Sequence, residues 1–301
     1  MKLRVGTRGS RLALIQTEMI CSAIKAVRPD IEPEIKIVTT DGDKILDRPI
    51  AEIGGKGVFV DNIETMLLNR EIDIAVHSGK DIPSIISDDF SLKVIVPRAD
   101  DRDFLLMRSD TAPKLGKDKL VIGTSSPRRA ELLKRLYPGC EDKLLRGNVP
   151  TRVEKLRRGE YDGIILAAAG LERLGLDVED LQIISLDTDT FIPATNQGII
   201  VCEAVKGSEG AGLLNILADT EPLKRLNLIM SLERRLSSYM DADCYDAAAV
   251  NVKLTEEDRF SVKWFYGKAS ICEEIISLEE AEQIINGTDE VWKRKLQEYV
   301  L

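Results

Sequence analysis

Only one histidine, His77, occurs in the 301-residue chain. A multi-histidine metal site or a histidine-based triad therefore has almost nothing to be built from. The five cysteines, Cys21, Cys140, Cys202, Cys244 and Cys272, are odd in number and far apart, and no CxxC pair occurs. Such spacing suggests neither a zinc site nor a disulfide framework, and no metal is expected. Aromatic residues are only 5% of the chain, so the core should rest on Leu, Ile, Val and Ala. A basic excess is missing too: 42 Lys and Arg face 51 Asp and Glu, for a net charge of -9. With that balance and no stacking-aromatic motif, nucleic acid is not an expected partner. No apolar run approaches the length of a membrane span, and residues 1–8 carry no apolar signal core. The expectation is a monomeric cytoplasmic protein with no membrane association. Phosphate-loop signatures are also absent: Gly54-Gly55-Lys56-Gly57 lacks the Walker spacing, and no GxGxxG follows a strand.

What the chain does have is an alternation of short apolar runs and helical patterns, over a length that suits two or three domains. Residues 3–6, 34–39, 73–76 and 92–96 read as strands. Ser10 is a good N-cap for a helix that stops at Pro29. The pattern restarts with strands over 104–107, 120–123, 143–145 and 163–167. Helices over 126–137, 149–158 and 169–174 are interleaved with them, and strands over 182–186 and 198–205 follow. Such alternation predicts α/β units with ligands at strand ends. From Thr220 the character changes to one long amphipathic helix over 221–240, alternating strands over 246–254 and 259–267, and two further helical stretches. The expected class is α/β, with two periplasmic-binding-protein-like lobes of mixed sheets plus a small C-terminal α+β domain. If 198–205 returns to the first sheet, domain 1 comprises 1–97 and 197–218, domain 2 comprises 98–196, and the C-terminal domain 219–301.

Basic residues cluster at the predicted strand ends. Gly123-Thr124-Ser125-Ser126-Pro127-Arg128-Arg129 leaves a strand and opens a helix, where hydroxyls and backbone N–H groups favour an anion. Leu145-Arg146-Gly147-Asn148-Val149-Pro150-Thr151-Arg152 is a second such turn, and arginine forks match carboxylates. Either turn alone reads equally well as a capped helix with solvated arginines. Two together, with Thr7-Arg8-Gly9-Ser10 in the first lobe, suggest a cleft for several carboxylates. The stretch from Asp73 to Pro83 places Lys80 and Asp81 beyond a buried strand. His77 reads more readily as a hydrogen-bonded structural histidine than as a catalytic one. Cys244, taken alone, reads as a small buried apolar residue.

The ordered set Thr7-Arg8-Gly9-Ser10, Leu12-Ala13-Leu14, Gly42-Asp43, Gly54 to Gly57, Asp73 to Pro83, Gly123 to Arg129, Leu145 to Arg152, and Ala169-Gly170-Leu171 with Arg173 resembles the hydroxymethylbilane synthase (porphobilinogen deaminase) family. The match runs from residue 3 to about residue 204, and more weakly through Cys244. The resemblance implies deamination and head-to-tail joining of four porphobilinogen molecules on a covalent dipyrromethane cofactor. Cys244 matches the thioether position and Asp81 the catalytic aspartate, which would stabilise a cationic pyrrole intermediate. Lys80, Thr124, Ser126, Arg128, Arg129, Arg146 and Arg152 match cofactor contacts. Arg8, Ser10, Gln16, Lys56 and Arg173 match substrate contacts, with Lys56 on a lid-like loop. The chain departs from the family at Ala242-Asp243 before Cys244, at Ala247 and Ala249 after it, at Asn196 in Pro193-Ala194-Thr195-Asn196-Gln197-Gly198, and at Gly79. A non-catalytic protein that binds an anionic ligand on the same fold is the competing reading.

Overall fold

A computed structural model describes residues 2–38, 61–242 and 246–300. Lys56, Cys244 and the Gly42-Asp43 and Gly54–Gly57 motifs lie outside them. By internal contacts the chain divides into two units, 1–99 with 199–231, and 100–198 with 232–301.

The first unit is built on a five-stranded sheet in the order β2-β1-β3-β10-β4. Its strands are β1 (Lys2–Arg8), β2 (Glu32–Val38), β3 (Ile74–Ser78), β4 (Phe90–Lys93) and β10 (Ile200–Val205). β1 runs parallel to β2 and β3, while β10 is antiparallel to β3 and β4. The chain thus returns to its first sheet after a long excursion. β3 and β10 are almost wholly buried, as central strands covered on both faces must be. Helix α1 (Arg11–Val27) starts where the Ser10 hydroxyl accepts from the Ala13 N–H, and the chain leaves it at Arg28, before Pro29. Ile20 and Ile24 recur at helical spacing and lie fully buried with Leu3, Val5 and Ile74. Burying each is worth roughly 1.5–3 kcal/mol. Helix α2 (Asp61–Leu68) buries Ile63 and Leu67 with Val38 and Ile72.

The second unit repeats the plan with β5 (Asp103–Arg108), β6 (Val121–Thr124), β7 (Glu141–Leu144), β8 (Gly163–Ala167) and β9 (Leu181–Ser185), in the order β7-β6-β8-β5-β9. β6 is parallel to β7 and β8, and β5 is antiparallel to β8 and β9. Helices α3 (Pro127–Leu136), α4 (Val149–Arg157) and α5 (Ala168–Leu174) follow β6, β7 and β8. Helix α7 (Glu221–Tyr239) precedes an antiparallel three-stranded sheet of β11 (Ala248–Leu254), β12 (Phe260–Tyr266) and β13 (Cys272–Ile276). Ala249 and Phe265 of that sheet share a core with Leu105, Ile122, Leu132 and Phe191. Helices α8 (Leu278–Ile285) and α9 (Glu290–Val300) close the chain. Ser277 and Glu280 start α8 with a reciprocal capping box.

Two elements go beyond the sequence reading. Helix α6 (Glu209–Leu217) carries two glycines that lower its helix propensity. Yet Ser208 caps it, and a Cβ at Gly210 would collide with the Asp73 carbonyl oxygen, so glycine is what lets the helix lie against β3. Strand β13 reads Cys-Glu-Glu-Ile-Ile, and its alternation is masked because the exposed face carries Glu273 and Ile275 while the inner face carries Cys272, Glu274 and Ile276.

Candidate active site

Parallel strands put their C-terminal ends on one edge of each sheet, and the predicted site residues that lie among the described residues fall at or near those edges; Lys56 and Cys244 lie outside them. In the first unit Arg8 ends β1 and is half-buried. Ser10 caps α1, and the buried Gln16 accepts a 3.1 Å hydrogen bond from the Ser78 hydroxyl at the end of β3. Gly79–Asp81 forms a single 3-10 turn there, held by the Gly79 N–H donating to the Ile199 carbonyl at 2.9 Å. This turn leaves Lys80 half-buried and Asp81 exposed. Asp81 forms no ion pair among the described residues. One turn earlier, His77 Nε2 lies 3.0 Å from Glu203 Oε2 between β3 and β10, a buried contact that fits the structural reading of the histidine.

In the second unit Thr124 ends β6, and its hydroxyl accepts from the Ser126 N–H at 3.2 Å. Ser126 caps α3 with Pro127 at its first position. Asn148 caps α4 by accepting from the Thr151 N–H at 3.0 Å. Gly147, directly before this cap, has φ +112°, and a Cβ there would press on the Thr151 side chain. Only glycine takes this turn without strain. Arg152 Nε donates to the Gly147 carbonyl at 2.7 Å, and Arg173 Nη2 donates to the Gly198 carbonyl at 2.6 Å.

Arg128 and Arg129 are nearly fully buried, at 3% and 6% exposure. Their shared partner is Asp103, a residue the sequence reading passed over. Asp103 Oδ2 accepts from Arg128 Nη2 at 2.7 Å, and Oδ1 accepts from Arg129 Nη2 at 2.7 Å and Nε at 3.1 Å. Burial works against ionisation of Asp103, yet the two guanidiniums outweigh it and hold the carboxyl well below the usual carboxylate range. Burial also pulls the Arg128 guanidinium down, with Asp103 partly offsetting it. A sequence signal was available: an acid directly before the apolar run Phe104-Leu105-Leu106-Met107.

Acidic groups suit this edge. The Nε atoms of Arg128, Arg146 and Arg173 are enclosed with no acceptor among the described residues. Burial lowers the Arg173 guanidinium from its usual value, a cost that an added carboxylate would relieve. The donor set therefore fits a ligand carrying several carboxylates, as a dipyrromethane does. Among the described residues no cluster of three or more His, Cys, Asp or Glu is placed to hold a metal ion, and no helix is long and apolar enough to cross a membrane.

Comparison with known proteins meets these observations. Residues 3–211 match the family described as "Porphobilinogen deaminase, dipyromethane cofactor binding domain". The chain is 45% identical over 219 residues to the porphobilinogen deaminase of Acetivibrio thermocellus, covering 71% of this chain and 72% of that one. It is 37% identical over 290 residues to that of Staphylococcus aureus, covering 96% and 91%. Among solved structures, the BvgS periplasmic VFT2 domain of Bordetella pertussis is 16% identical at a TM-score of 0.45, covering 76% of this chain and 92% of that one. The ordered turns at the two sheet edges and the match over most of the length lead to one statement: this chain belongs to the porphobilinogen deaminase family.

Proposed function

We propose that the chain is a hydroxymethylbilane synthase that joins four porphobilinogen molecules head to tail and releases the linear tetrapyrrole. Beside family membership, the observation that carries this reading is the set of arginines at the strand-end edge of the second unit, three with an enclosed Nε lacking an acceptor among the described residues. Arg128, Arg129, Arg146 and Arg152, with Lys80, Thr124 and Ser126, are the residues proposed to hold the cofactor's acidic side groups. Arg8, Ser10, Gln16, Lys56 and Arg173 are proposed to take those of the substrate. When bound, the cofactor supplies the free pyrrole α-carbon at which joining begins. Cys244 is its proposed attachment point, within a C-terminal domain spanning 219–301.

The chemistry asked of the protein is modest. The substrate's aminomethyl C–N bond breaks and ammonia leaves, with the ring nitrogen's electrons compensating the methylene. Asp81, exposed and without an ion pair among the described residues, is the group proposed to face the pyrrole N–H. Its carboxylate would stabilise positive charge there and take up and return a proton. The leaving amine is already on the substrate, so no nucleotide is needed to activate it. The net charge of -9 disfavours a nucleic-acid partner, and a monomeric cytoplasmic enzyme is the form proposed.

The test is direct. Protein whose denatured mass shows a two-pyrrole adduct is incubated with porphobilinogen. Loss of the pyrrole, release of ammonia and appearance of a linear tetrapyrrole are expected. Binding without ammonia release would replace this reading with that of an anion-binding protein.

A further inference from the structure

We infer that Asp103 is a positioning residue for the reaction, setting the planes of the Arg128 and Arg129 guanidiniums and linking both to the chain segment 192–198. The inference rests on the function proposed above. Asp103 is fully buried as the first residue of β5, opposite Ala167, the last of β8. It therefore sits at the edge where the anion-binding turns gather. Besides both arginines, its Oδ1 accepts from Gln197 Nε2 at 3.0 Å. The arginines are pinned a second time by backbone: Arg128 Nη1 donates to the Ile192 carbonyl at 2.5 Å and Arg129 Nη1 to the Ile165 carbonyl at 3.1 Å. With two points fixed, each planar fork loses its rotational freedom, and its second terminal N–H groups keep one direction. Two cations and one anion leave a single net positive charge, which matches about one incoming carboxylate.

A growing chain held by misplaced arginines would carry its reacting end out of line. Because that chain is already attached, the loss should fall on kcat more than on KM. A carboxylate that only offsets the arginines' burial would affect folding alone.

The experiment uses the full chain as Asp103→Asn, Arg129→Lys and the double variant. Adduct mass, melting temperature, kcat, KM and the mass ladder after limited porphobilinogen are measured well below the melting temperature. Positioning predicts an Asp103→Asn ladder stalled at fewer rings, kcat down about 10-fold or more with KM changed less, and a double variant little worse than the worse single. A lowered melting temperature with wild-type kcat, KM and ladder would overturn the inference. Should Asp103→Asn not fold, the wild type decides through its arginine side-chain N–H spectra, assigned with Arg128→Lys and Arg129→Lys. Rigid Arg128 and Arg129 signals, alike with and without the adduct, support positioning; signals averaged by rotation until the adduct is present refute it. This readout needs no turnover, so an inactive wild type would count against the proposed function alone.

Discussion

The two sheet edges use their acids in opposite ways. At the edge of the first unit, Asp81 stands exposed on a three-residue turn without an ion pair among the described residues. At the edge of the second, Asp103 has no exposure and is committed to Arg128, Arg129 and Gln197. An acid that exchanges protons has to stay accessible, whereas one that orients cations is better buried, where its hydrogen bonds are not contested by water. In the function proposed above, the same residue type serves chemistry on one edge and architecture on the other, and substitutions should separate the two.

The largest effect is expected at Arg129. Arg129→Leu leaves Asp103 with only part of its compensation, and breaking a buried pair costs about 3–5 kcal/mol. Urea unfolding measures it. The pH dependence carries a sign: the Asp103 carboxyl is lowered in the folded state, so the unfolded chain binds its proton more readily. Its stabilisation should be complete above the ordinary carboxylate range of about 4 and lost only as pH falls toward the lowered folded value. An Arg129→Leu cost that fades already between pH 7 and 6 would contradict this.

Next comes Asp81→Asn, expected to lower turnover of adduct-loaded enzyme about 10²-fold, or about 2.7 kcal/mol of barrier. Its stability should change by less than about 0.5 kcal/mol, because the side chain is exposed. Steady-state rates and urea unfolding on one preparation give both numbers. A variant that is unstable but active would erase the contrast with Asp103.

The smallest effect is expected at Asn196, a non-glycine residue that holds φ +58°. Asparagine tolerates this left-handed conformation, and its buried side-chain oxygen makes no hydrogen bond among the described residues. Asn196→Gly should therefore cost about 1 kcal/mol or less, while Asn196→Ala, which adds the left-handed penalty of about 1–2 kcal/mol, should cost clearly more. Equal stabilities for Ala and Gly would show that the backbone there relaxes.

Much of this was legible in the chain because it is written locally. Ser10, Ser126 and Asn148 each precede a helix and cap it, and Pro29 and Pro127 mark helix limits. The basic turns were legible for the same reason, since a strand end, a cap and two arginines fit within eight residues. The role of Asp103 was not: the sequence shows only an acid before an apolar run, while its partners lie 25, 26 and 94 positions away and only the fold brings them together. Neither was Arg173's bond to the Gly198 carbonyl, which depends on how 192–198 runs past α5.

The pairing of His77 with Glu203 gives the molecule a built-in clock. It is the only imidazole in the chain, and the native fold leaves it 8% exposed between β3 and β10. A reagent that modifies imidazole has no open target until that sheet parts. The rate of mass gain at the peptide that carries His77 would then report how often the first unit opens, with no other histidine adding signal.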